Sequence, residues 1–102
     1  MDNTRTLVKE VFSVSSNFTN NRTVGSILNH LRGEIDELEI EVKIAIGELP
    51  EISGGDDGVI GESIDCILCL LDLMLQYNKD ITEEDLVMFA KIKLNKWVNK
   101  YK

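Results

Sequence analysis

Two acidic pairs carry most of the chemistry open to this chain: Glu34-Ile35-Asp36-Glu37 and Glu62-Ser63-Ile64-Asp65. Glu34 and Glu37, and likewise Glu62 and Asp65, stand three residues apart. That spacing puts both side chains on nearly the same side of a helix. Between the pairs lies a breaker, Ile52-Ser53-Gly54-Gly55-Asp56-Asp57-Gly58, with Pro50 just ahead of it. A helix, a turn and a returning helix would therefore set the two pairs opposite each other. Four facing carboxylates repel unless a positive charge sits among them. The all-oxygen donor set points to a hard divalent cation, Mg²⁺ or Mn²⁺.

Other chemistries find less support. His30 is the only histidine, so no Ser–His or Cys–His constellation is available. Gly54-Gly55 lacks the strand, the lysine and the spacing of a phosphate-cradling loop. Cys66 and Cys69 form a C-x-x-C, but no second pair of zinc ligands accompanies it, and they sit inside an apolar run. Their expected role is that of small buried hydrophobes.

The 102 residues suit one domain, spanning 1–102. A net charge of −7 argues against general nucleic-acid binding. Eleven of the 18 acidic residues lie between Glu34 and Asp65, whereas five of the 11 basic residues fall in the last 12 positions: Lys91, Lys93, Lys96, Lys100 and Lys102. An acidic centre with a basic tail suits a metal-bound phosphate ligand, and the tail equally suits an ordinary solvated C-terminal helix face. No apolar run reaches the roughly 18 residues of a membrane span, and no signal peptide is evident, so a cytoplasmic protein without a membrane partner is expected.

Four helices must position these groups. Leu7, Val8, Val11 and Phe12 give one face to a first helix over 4–15, followed by a polar loop over 16–22. Thr23 is a good N-cap for a second helix over 23–47, whose apolar stripe runs through Leu31, Ile35, Leu38, Val42 and Ala45. Glu34, Glu37 and Glu41 border that stripe, while Asp36 and Glu39 point to solvent. Gly47 ends the helix, and Asp56 or Asp57 can cap a third one over 58–77. That third helix is apolar around nearly its whole circumference, so a chain this short needs a second subunit to cover it. Glu62, Asp65 and Asp72 nevertheless share one of its faces. A buried unpaired carboxylate is costly, so each must be paired, hydrogen-bonded or metal-bound, and neither aspartate has a basic neighbour nearby in the chain. Thr82 with Asp85 forms a capping box for a fourth helix, whose apolar face is Leu86, Ala90, Leu94, Trp97 and Tyr101.

Glu34-x-x-Glu37-Leu38 followed by Glu62-x-x-Asp65, with 24 residues between Glu37 and Glu62, resembles the MazG-like all-α nucleoside triphosphate pyrophosphohydrolases. The likeness runs from about Leu28 to Asn95. It implies an all-α, four-helix, MazG-like bundle completed by oligomerisation into a homodimer or homotetramer. It also implies Mg²⁺ held by Glu34, Glu37, Glu62 and Asp65, with the same four residues serving catalysis. The expected reaction cleaves a nucleoside triphosphate between the α- and β-phosphates, giving the monophosphate and pyrophosphate. Relatives carry a Lys-x-x-x-Asn-x-x-Arg pattern in the next helix. Lys91 and Asn95 match it, Val98 stands at the arginine position, and Lys93 or Lys96 would take over phosphate contacts. The competing expectations are a nucleotide- or protein-binding module of the same fold without turnover, and a purely structural helical bundle.

Overall fold

The structure, a computed structural model, describes residues 3–17 and 22–101. Among these it contains four α-helices and no strand: α1 (Asn3–Ser16), α2 (Val24–Ala45), α3 (Gly58–Tyr77) and α4 (Glu83–Lys100). A short 3₁₀ turn, Glu51–Ser53, lies in the α2–α3 connection. None of the described helices is long and apolar enough to cross a membrane. Part of the loop expected over 16–22 falls outside the described residues.

The helix boundaries follow from local chemistry. Thr23 Oγ1 accepts from the Ser26 amide and the Ser26 hydroxyl oxygen accepts from the Thr23 amide, a reciprocal cap that satisfies two orphan donors of α2. Thr82 and Asp85 do the same for α4, as the sequence indicates. At the other end of α2, Gly47 adopts φ of 83°, the left-handed conformation that reverses a chain at a helix end without strain on a Cβ. Asp57 occupies the N-cap position of α3, but its side chain makes no capping bond. The acid instead packs its Cβ into the space that Gly61 leaves open.

Helices α2 and α3 form an antiparallel hairpin, the principal packing unit of the chain, and α1 lies across α3. The small core at the α2–α3 seam is built from Leu31, Cys66 and Cys69, with Leu38 packed against it. The expected cysteine role is met: both thiols are free and buried. Helix α4 departs from a closed bundle. Among the described residues it packs only against α1, and lightly, and neither α2 nor α3 approaches it. Its large apolar residues Phe89, Ile92, Leu94, Trp97 and Tyr101 all stay exposed. The radius of gyration, 15.9 Å, exceeds the ~13 Å of a compact chain of this length. The apolar face expected for α4 therefore stays largely open within one chain from Phe89 onward, while Leu86 near its start is partly buried.

Candidate metal centre

The hairpin brings the two acidic pairs together as their spacing predicts. One carboxylate oxygen from each of Glu34, Glu37, Glu62 and Asp65 lies within 4.8 Å of every other. Helical periodicity sets this geometry: i and i+3 on α2 face i and i+3 on α3, across a seam sealed by Leu31, Cys66 and Cys69. The cluster is not a patch of solvated surface charge. Glu62 is only 6% exposed, and its Oε2 is buried with no hydrogen-bond partner. Glu34 Oε2 is also buried and unpartnered, while Glu34 Oε1 lies 3.0 Å from His30 Nε2.

Electrostatics confirm the crowding. Burial, together with the hydrogen bond and charge of Glu37 and the charges of Asp65 and Asp57, pushes the Glu62 carboxyl up from 4.5 to about 7. At neutral pH the cluster accordingly holds on to a proton that an isolated glutamate would have released. Burial, followed by the charge of Glu34, likewise raises the Cys66 and Cys69 thiols, which makes them poor nucleophiles. Two buried, orphaned carboxylate oxygens in an oxygen-only donor set fit a hard divalent cation, which would satisfy both and reverse the local repulsion.

Asp72, two turns beyond Asp65, has a different environment. The hydroxyl of Ser15 donates to it, Gln76 Nε2 reaches the same hydroxyl at 3.3 Å, and the guanidinium of Arg22 forms an ion pair with it. Asp72 is thus paired and hydrogen-bonded, as a carboxylate on that face must be, and its basic partner is not a neighbour in the chain: it is the residue just before the α2 cap, 50 positions away in sequence. Glu41 is also removed from the cluster. It is buried, and its Oε1 accepts from the Gly55 amide at 2.9 Å. A Cβ on Gly54 would lie 2.5 Å from that same oxygen, so any side chain there would have to push the Glu41 carboxylate aside. Sequence reading missed this role, although a glycine pair opposite a buried-face glutamate was the available signal.

Lys91, Lys93, Asn95 and Lys96 all lie exposed on α4. Because α4 does not contact α2 or α3, a single chain does not bring them to the carboxylates. A cavity of about 450 Å³ opens beside the cluster, with apolar walls from Leu7, Val11, Val14 and Leu68 and polar atoms from Ser15, Arg22, His30 and Asp72. Sequence reading did not foresee the cavity, because α1 contributes half of its wall and no local pattern fixes where α1 docks.

No family model matches the chain, no curated protein matches it, and no solved structure matches its fold.

Proposed function

We propose that this chain is a metal-dependent nucleoside triphosphate pyrophosphohydrolase, cleaving between the α- and β-phosphates to release the monophosphate and pyrophosphate. The observation that carries the reading is the convergence of Glu34, Glu37, Glu62 and Asp65, with buried, unpartnered oxygens on Glu34 and Glu62. Mg²⁺, or Mn²⁺ in its place, would be held by these four residues and would supply charge neutralisation for the triphosphate. The protein's own groups do the rest. Glu37, the most exposed of the four, orients the attacking water and takes its proton. The apolar cavity walls receive the base, and the polar atoms along its edge face the sugar and the base rim. The likeness of Glu34-x-x-Glu37 and Glu62-x-x-Asp65 to the MazG-like enzymes supports the same reaction.

The proposal includes a homodimer or homotetramer. Ile60, Ile64, Ile67 and Met74 form an exposed stripe on α3, and α4 exposes its own apolar face. A monomer seldom leaves so much contiguous apolar surface open. In the assembly, Lys91 and Asn95, with Lys93 and Lys96, contact the phosphates. A second reading, a nucleotide- or protein-binding module of the same fold without turnover, is favoured by the distance of α4 from the carboxylates within one chain and by Val98 at the arginine position.

Pyrophosphate release from a panel of canonical and modified triphosphates, with and without Mg²⁺ or Mn²⁺, separates the two. Metal-dependent release is expected. No release from any member of the panel, with metal still raising the melting temperature, would overturn the hydrolase in favour of the binding module.

A further inference from the structure

Beside the four-carboxylate cluster lies a second group of metal-ligating side chains with a different chemistry. His30, Glu34 and Cys69 each offer a ligand atom within 4.8 Å of the others, and a turnover role for the carboxylates does not use His30 or Cys69. His30 and Glu34 stand four residues apart on α2, so they form a chelating pair on one helix face, already 3.0 Å apart. Cys69 comes from the facing helix α3. This donor set of imidazole, carboxylate and sulfur is unlike the oxygen-only set next to it. Mg²⁺ takes oxygen ligands in near-ideal octahedra, whereas sulfur and imidazole select zinc and its borderline-soft neighbours.

The burial and the unmet bonding of the donors themselves point to a ligand. The Cys69 thiol is only 8% exposed, engaged in no disulfide, and set among these two donors. Glu34 also keeps one buried oxygen unpartnered after its Oε1 has met His30. The 450 Å³ cavity touches both His30 and Cys69, which gives a cation a path from solvent and leaves a coordination position open. Three protein ligands with one open position is the arrangement of a zinc site that exchanges ligands, as opposed to a closed structural one.

We infer that His30, Glu34 and Cys69 form a second cation site, selective for a borderline-soft transition metal such as Zn²⁺ over Mg²⁺. On binding, the thiol proton leaves to solvent and the His30–Glu34 contact gives way to the metal. Glu34 lies at the junction of the two sites, so a soft cation here draws one ligand away from the hard-cation cluster and weakens it. The inference stands apart from the hydrolase reading, because binding of a soft metal needs no turnover.

The test uses Co²⁺, a spectroscopic substitute for Zn²⁺, added to the whole chain in the presence of excess Mg²⁺. A thiolate-to-cobalt charge-transfer band is expected, saturating at one equivalent and displaced by Zn²⁺. Cys69→Ser abolishes the band. His30→Ala, at a side chain 67% exposed and so safe for folding, weakens Co²⁺ binding by more than the roughly 10-fold that loss of an outer-shell partner costs. Glu62→Gln, which removes a ligand of the carboxylate cluster only, leaves the band in place. The inference is overturned by an absent band, by a band that survives Cys69→Ser through Cys66, or by one that disappears in Glu62→Gln.

Discussion

Helix α3 carries three acids on one face, and its two ends treat them in opposite ways. In the C-terminal half, Asp72 is fully answered by the protein: Ser15 donates to it, Arg22 pairs with it, and Gln76 supports Ser15. In the N-terminal half, Glu62 and Asp65 face Glu34 and Glu37, and among the described residues no lysine or arginine pairs with them, His30 alone standing beside Glu34. Neither end exposes its acids fully, so burial alone does not separate the two classes. What separates them is whether the fold supplies the counter-charge. Where it does, the carboxylate fastens elements together, as Glu41 also does by accepting from Gly55. Where it does not, the fold carries an electrostatic cost, met in part by the proton that Glu62 retains.

The largest effect that could break this comparison is on activity. Glu37→Gln and Asp65→Asn are each expected to lower metal-dependent pyrophosphate release by about 10²–10³-fold or more, the scale of losing one preorganised electrostatic group. Far-ultraviolet circular dichroism should remain helical. Retained turnover in both variants would remove the cluster from the mechanism. At the opposite end of α3, Asp72→Asn should cost roughly 3 kcal/mol of stability, because it breaks a largely buried ion pair in which the Arg22 side chain is 18% exposed. Urea unfolding measures this, and a midpoint unchanged from the parent would show that the pair contributes nothing. Gly54→Ala should cost about 1–3 kcal/mol, since the new Cβ meets Glu41 Oε1 and Ile44 Cδ1 at 2.5 and 2.6 Å. That variant sharpens the partnered class, because it displaces Glu41 from the Gly55 amide without altering charge.

The smallest effect is the most diagnostic. Glu62 holds its proton up to about pH 7 in the folded chain, against 4.5 ordinarily. The folded state therefore binds more protons than the unfolded state between these values, and stability falls as pH rises from about 4.5 to about 7. Above that window the penalty is fully present; below it there is none. Metal-free melting temperatures should consequently drop across this range in the parent chain, and Glu62→Gln should flatten the drop and raise the melting temperature at pH 8. Mg²⁺ at pH 8 should raise the parent by mass action and leave Glu62→Gln nearly unmoved. A parent profile as flat as that of the variant would mean that Glu62 ionises freely.

Much of this arrangement is legible in the sequence, and the remainder is missing for definite reasons. The bounds of α3 and the caps at Thr23 and Thr82 follow from signals within a few residues of each other, and the facing of the two acidic pairs follows from i, i+3 spacing on two helices joined by one short breaker. The Arg22–Asp72 pair joins positions far apart in the chain, and neither residue's neighbours announce the other. Glu41 looked like its companions Glu34 and Glu37 because periodicity gives a face and does not say what the loop will place there. Helix α4 shows the same limit on a larger scale. An apolar stripe states that something must cover it, and cannot distinguish the same chain from another copy.

The light attachment of α4 has a consequence in time as well as in space. A helix with so few tertiary contacts opens at little free-energy cost, so its backbone amides exchange with solvent deuterons long before those of α3, which open only with the hairpin. If another copy covers α4, that exchange slows with protein concentration while the exchange of α3 barely changes. The deuterium uptake of Leu94 and Trp97 then becomes an internal gauge of how much of the protein is assembled at any dilution.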